Sequence, residues 1–179
     1  GLRAETYQRE YTKTIKKEFD ITSNGTTDIA NKYGKVEVKT WERNRVKLEV
    51  SIIVRSNSES QAQKVFDRID VEFSNSSNYV KAETVIEAAR KSWWDWSGDD
   101  KSDYTINYEV YVPPANNIVI DNKYGDVYVV ELGGRADLKV KYGNFKADGF
   151  GDDAVIDLAY GNGTLVRARD LRLQLSYGR

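Results

Sequence analysis

Residues 124–178 read YGDVYVVELGGRADLKVKYGNFKADGFGDDAVIDLAYGNGTLVRARDLRLQLSYG. A Tyr-Gly pair returns at Tyr124-Gly125, Tyr142-Gly143, Tyr160-Gly161 and Tyr177-Gly178, at intervals of 18, 18 and 17 residues. A fixed period of this kind marks a stacked repeat and outranks residue-by-residue reading. Asp126, Asn144 or Asn162 follows each of the first three pairs. A short alternating run comes next: Val127 and Val129, Phe145 and Ala147, Leu165 after Gly163. Glycine-rich or acidic turns follow at Gly133-Gly134 and Gly151-Asp152-Asp153. A second run then leads to the next tyrosine: Leu138 and Val140, Ile156 and Leu158, Leu173 and Leu175. Period-two alternation of this composition reads as half-buried strand.

Each copy therefore holds two short strands and cannot bury its apolar face alone. Stacking copies builds a continuous core. The fold class expected is mainly β: a single-stranded β-solenoid of about 18 residues per coil. Its parallel strands lie about 4.8 Å apart between coils. An antiparallel meander or sandwich is the alternative for short, regularly spaced strands. The tyrosine shares the parity of Leu138 and Val140, so an inward-facing aromatic ladder is expected. The following glycine is expected to take φ > 0 or to permit close backbone approach. The Asp/Asn/Asn column can hydrogen-bond local backbone at that corner.

Outside the repeat, Asn31-Lys32-Tyr33-Gly34 matches Asn122-Lys123-Tyr124-Gly125, and Val36 and Val38 match Val127 and Val129. A first coil thus sits early, separated from the others by an insertion. The organisation expected is an N-terminal strand and first coil over 11–55, an inserted helix and β-hairpin layer over 56–116, and repeated coils over 117–179, in one compact domain; with the preceding strand the insertion reads as a strand-helix-strand-strand layer. Within the insertion Ser58 caps a helix running to about Ile69. Strands cover 71–73, 79–88 and 104–112, and residues 91–103 form a loop. Tyr177-Gly178-Arg179 starts a further coil and stops. An open edge there meets a partner, unless the natural chain continues.

The early NKYG coil, the inserted helix and hairpin, the segment YVPPANNIVIDNKYGDV and the later Tyr-Gly spacing together resemble the putative-adhesin family of bacterial envelope proteins. The resemblance covers roughly residues 11–179. It implies an exported β-solenoid domain, non-enzymatic, acting as an adhesin or surface scaffold. It carries over no catalytic residue.

Composition narrows the chemistry. A net charge of −1 gives no electrostatic case for nucleic acid or an anionic membrane. No apolar run suits membrane insertion. The chain has no His, Cys or Met. Ser-His-Asp and Cys-His nucleophile systems are therefore excluded within it, as are His/Cys zinc sites. A first residue other than Met fits a removed signal peptide, and an extracytoplasmic location is expected. Asp152, Asp153 and Asp157, and Asp99, Asp100 and Asp103, read as solvated turn residues; paired acids could also serve as acid and base or hold Ca²⁺. No metal, cofactor or catalytic residue is expected.

Trp93, Trp94, Asp95 and Trp96 form the densest aromatic cluster. Three indoles in four residues can clamp the insertion onto the coils. They can equally offer a platform to a surface glycan, or a protein interface. These four residues are the candidate ligand site. Tyr33, Gly34 and the four later Tyr-Gly pairs are the structural repeat. The partners expected are a surface glycan or protein, with self-association through the C-terminal edge. A carbohydrate-binding or carbohydrate-processing module is the alternative function.

Overall fold

A computed structural model of the chain describes residues 8–89 and 103–179. The strands are β1 (Arg9–Asp20), β2 (Thr26–Lys32), β3 (Val36–Thr40), β4 (Arg45–Ser56), β5 (Ile69–Ser76), β6 (Tyr79–Ile86) and β7 (Asp103–Val112). They continue as β8 (Asn117–Lys123), β9 (Val127–Val129), β10 (Ala136–Lys141), β11 (Phe145–Ala147), β12 (Ala154–Ala159), β13 (Gly163–Leu165) and β14 (Leu171–Ser176). Among the described residues one helix, α1 (Glu59–Phe66), lies between β4 and β5.

Strand formation follows the alternation. In β4, Val46, Leu48, Val50, Ile52 and Val54 are all fully buried while their neighbours face outward. The strands form two seven-stranded mixed sheets, ordered β1-β4-β7-β3-β9-β11-β13 and β14-β12-β10-β8-β2-β6-β5. Neither sheet closes on itself, and their inner faces share one core in a sandwich-like arrangement.

The repeat sets the pairing in both sheets. Ile120, Leu138, Ile156 and Leu173 pair in parallel register, one from each of β8, β10, β12 and β14. Ile29 of β2 extends that row at one end. In the opposite sheet Val36, Val127, Phe145 and Gly163 form the matching row. The turns stack as well: Leu132 and Phe150 are bridged in parallel and both are buried. Residues of equal rank in successive copies therefore lie directly over one another.

The segment 56–116 departs from the expected separate layer. β6 pairs in parallel with β2, and β7 with β3, so the insertion extends both sheets instead of lying beside them. The physical reason is edge satisfaction. The first coil would otherwise present bare N–H and C=O groups on β2 and β3. Antiparallel pairs β5–β6, β4–β7 and β1–β4 then complete the sheets. The helix packs Ala62, Val65 and Phe66 mainly against β4. Ser58 caps it by accepting the Gln61 N–H (3.2 Å). It ends at Phe66, earlier than the apolar spacing suggests, because Ile69 already belongs to β5.

Candidate binding surfaces

The Tyr-Gly corner is the most regular surface of the molecule. Tyr33, Tyr124, Tyr142, Tyr160 and Tyr177 stack with ring centroids 5.2, 5.0, 4.7 and 4.9 Å apart and planes within 9° of parallel. Tyr104 meets Tyr33 edge-on at 5.6 Å. The ladder is exposed, not internal: its rings run from 39% accessible at Tyr33 to 81% at Tyr177. Backbone conformation overturns the parity argument. All five tyrosines have φ between 53° and 65°, the left-handed region, which swings the side chain out of the alternation.

The glycine serves the second of its two expected roles. A methyl group on Gly125 would lie 1.8 Å from the Gly34 carbonyl oxygen, and one on Gly143 would lie 2.0 Å from that of Gly125. Only glycine lets successive copies approach this closely at the corner. Polar columns flank the ladder. The Asn144 N–H donates to the Asp126 carboxylate (2.8 Å), and the Asn162 N–H to the Asn144 side-chain oxygen (2.9 Å). The Asp/Asn column thus bonds the next coil, not its own. Inside the corner the Asn31 amide donates to the Ile106 carbonyl and the Asn122 amide to the Gly34 carbonyl (both 2.9 Å). Asn31 also accepts from Thr84 (2.8 Å), whose hydroxyl lies 2.6 Å from that of Tyr108. Burial pushes the Tyr108 phenol well above its ordinary range.

A second surface lies at the opposite ends of β8, β10, β12 and β14. A groove of about 660 Å³ crosses these four strands. Arg135, Asp137, Asp153, Asp170 and Arg172 line it, with Val119 and Val155 between them. Asp153 is held by Arg169 (3.1 Å), which also pairs with Asp152 (2.9 Å). The hydrogen bond from Arg169 to Asp153 raises the guanidinium pKa further. Asp152 and Asp153 are therefore an ion-pair anchor for the turn. Asp157 lies between Lys139 and Gln174 in the pairing register of the outer face. Arg135, Asp137 and Arg172 make no side-chain hydrogen bond or ion pair among the described residues, and Asp170 acts on the Arg169 guanidinium through its charge.

Trp93, Trp94, Asp95 and Trp96 lie outside the described residues, as do Asp99 and Asp100. Among the described residues no cluster of three or more Asp and Glu residues is arranged to hold a metal ion. Among them, no helix is long and apolar enough to cross a membrane. Sequence reasoning passed over the groove. Its residues emerge only when the copies are aligned at the repeat period, which puts Asn117, Arg135, Asp153 and Asp170 at equal rank.

No family model matches the sequence, and no curated protein does either. Among solved structures the chain is similar to a putative cell adhesion protein from Clostridium sporogenes, at 8% identity and TM-score 0.38, over 94% of this chain and 100% of that one. It is also similar to a putative adhesin from Bacteroides fragilis, at 11% identity and TM-score 0.36, over 93% and 96%. A putative lipid binding protein from Parabacteroides distasonis aligns at 12% identity and TM-score 0.34, over 89% of this chain and 59% of that one. At such identities and scores the functional reading rests on the residues of this chain itself.

Proposed function

We propose that the chain is a non-enzymatic, exported envelope protein, an adhesin or surface scaffold that binds an extended partner along the outer face of its stacked coils. In this reading the parallel portion is a β-solenoid and the antiparallel strands are its cap. The observation that carries the proposal is the groove across β8, β10, β12 and β14. There Asp137 and Arg172, on β10 and β14, and Arg135, just before β10, make no side-chain hydrogen bond or ion pair among the described residues, at positions fixed by the parallel register. Rigid presentation of unpaired polar groups lowers the ordering cost of binding. The absence of His and Cys from the sequence supports a binding role over nucleophilic catalysis.

The test is surface-plasmon resonance over immobilised envelope polysaccharides and surface proteins. Wild type should bind saturably, and an Arg135→Ala/Arg172→Ala variant should not. Binding retained in that variant but lost on Trp93/Trp94/Trp96→Ala would move the site to the tryptophan segment. Turnover of any bound polymer would overturn the non-enzymatic reading.

The exposed leucines of the edge strand β14 support a second contact. Leu171, Leu173 and Leu175 are 48%, 51% and 43% accessible, although their counterparts in the preceding coil are buried. Antiparallel pairing of β14 with β14 of a second copy, centred on Leu173, would set leucine against leucine and Arg172 against Gln174. Self-association through this edge is part of the proposal.

A further inference from the structure

We infer that the groove takes an uncharged oligosaccharide, laid along the stacking axis across β8, β10, β12 and β14; this deepens, and rests on, the binding role proposed above. Three observations narrow the ligand class.

First, three of the four strands under the groove offer no backbone to a peptide. β8, β10 and β12 are each paired on both sides, and only β14 has a free edge among the described residues. Strand addition, the usual way an extended peptide gains main-chain hydrogen bonds, is closed to a ligand lying across β8, β10 and β12. Recognition there must come from side chains.

Second, the charges are mixed. Arg135 and Arg172 line the groove together with Asp137 and Asp170, and Asp153 pairs with Arg169, which it shares with Asp152. A polyanion running along the axis would meet Asp137 and Asp170, and a polycation would meet Arg135 and Arg172. A chain of hydroxyls suffers neither penalty. Each hydroxyl both donates and accepts, so it can give a proton to a carboxylate and receive one from a guanidinium. Planar carboxylate and guanidinium groups can each engage two neighbouring hydroxyls, and such charge-assisted bonds are the stronger kind.

Third, the polar rows are separated by apolar ones. Val119, Asp137, Val155 and Arg172 follow one another in parallel register, so aliphatic and charged side chains alternate from strand to strand. A pyranose ring has the same division, with C–H faces and a hydroxyl rim. Four strands at the inter-strand spacing give a track of about 14 Å. The groove volume, about 660 Å³, lies in the range of small-ligand sites.

The experiment is a glycan array carrying uncharged, carboxylated, sulfated and amino oligosaccharides, followed by calorimetry on the best ligands. The proteins compared are wild type, Asp137→Ala, Asp137→Asn, Arg172→Ala and the Trp93/Trp94/Trp96→Ala variant. All groove positions changed are exposed, and circular dichroism confirms the fold of each. Wild type should bind an uncharged oligosaccharide saturably, with affinity nearly independent of salt. Asp137→Ala and Arg172→Ala should each weaken it by about tenfold or more, as expected for a lost charge-assisted hydrogen bond. Asp137→Asn, which keeps an acceptor, should recover part of the loss. Binding restricted to acidic or basic glycans and falling steeply with salt would overturn the uncharged class while leaving the groove as the site. A protein ligand lost in the groove variants, with no glycan bound, would do the same. Uncharged-glycan binding that survives both groove variants would overturn the site assignment itself.

Discussion

The two ends of the row of parallel repeats are built from the same columns of residues and end in opposite states. At one end Ile29 is fully buried because β6 and β7 extend the sheets beyond the first coil. At the other, Leu173 occupies the same column and is half exposed, because β14 is the edge strand of its sheet among the described residues. The side chains are comparable in size and polarity. Burial in a stacked repeat therefore belongs to the interface between copies and not to the residue, so each copy's stability depends on its neighbour. The ends differ in polarity too. The sealed end tolerates buried Asn31 because Thr84 and the Ile106 carbonyl satisfy it, whereas the same position near the bare end is Leu175.

The sharpest way to break the stack is at the corner. Gly143→Ala places a methyl 2.0 Å from a backbone oxygen of the preceding coil, and neither chain can yield without separating the strands. A loss of about 3 kcal/mol or more, or failure to fold, is expected in urea denaturation. Gly133→Ala is the control: its methyl would have no neighbour nearer than 3.5 Å, and the change should stay within about 0.5 kcal/mol.

Next in size is the direct comparison within one column. Leu138→Ala, at a fully buried position, should cost about 2–5 kcal/mol. Leu173→Ala should cost well under half of that in a monomer. If analytical ultracentrifugation shows that wild type self-associates, Leu173→Lys should return it to monomer. Equal losses for the two leucine-to-alanine variants under monomeric conditions would mean that the end coil is covered after all.

The tyrosine ladder allows a finer division. Tyr142 has a stacked ring on each side, and Tyr177 has one on one side only. Tyr142→Ala removes two ring contacts and leaves a Cβ in the left-handed region. Tyr142→Gly removes the same contacts but relieves the backbone. Glycine should therefore be the better tolerated replacement by about 1 kcal/mol, measured by thermal melting.

The smallest effect expected is a titration. The hydrogen bond to the Asp28 carboxylate pushes the Tyr79 phenol up to about 12. The protonated phenol is the form favoured by the fold. Its stabilising contribution is complete below the ordinary phenol range near pH 10 and is lost as pH rises through about 12. Wild type should lose stability over that interval faster than Tyr79→Phe. Parallel curves would remove the hydrogen bond from the account.

Much of this was legible in the chain. The Tyr-Gly period places Tyr124, Tyr142 and Tyr160 one above another, and the NKYG match places Tyr33 with them. Both follow from the fact that stacking rewards identity at one column. Ser58 and the alternation in 46–54 were equally readable, because caps and strands are local. The direction of the tyrosines was not. Parity counting assumes extended backbone throughout, and five left-handed residues break that assumption at each corner. The candidate groove was hidden for a different reason: Arg135, Asp137, Asp170 and Arg172 belong to different copies and meet only across strands.

The sequence by itself determined the repeat, its period, the strands and the residue columns, since these depend on spacing along one chain. Tertiary structure alone decided that the insertion completes the two sheets, that the aromatic ladder faces out, and that charged residues of different copies line one groove. Those outcomes depend on which edges find partners and on the backbone angle at a single residue per coil. Neither can be read from alternation, because both are settled by contacts between segments far apart in the chain.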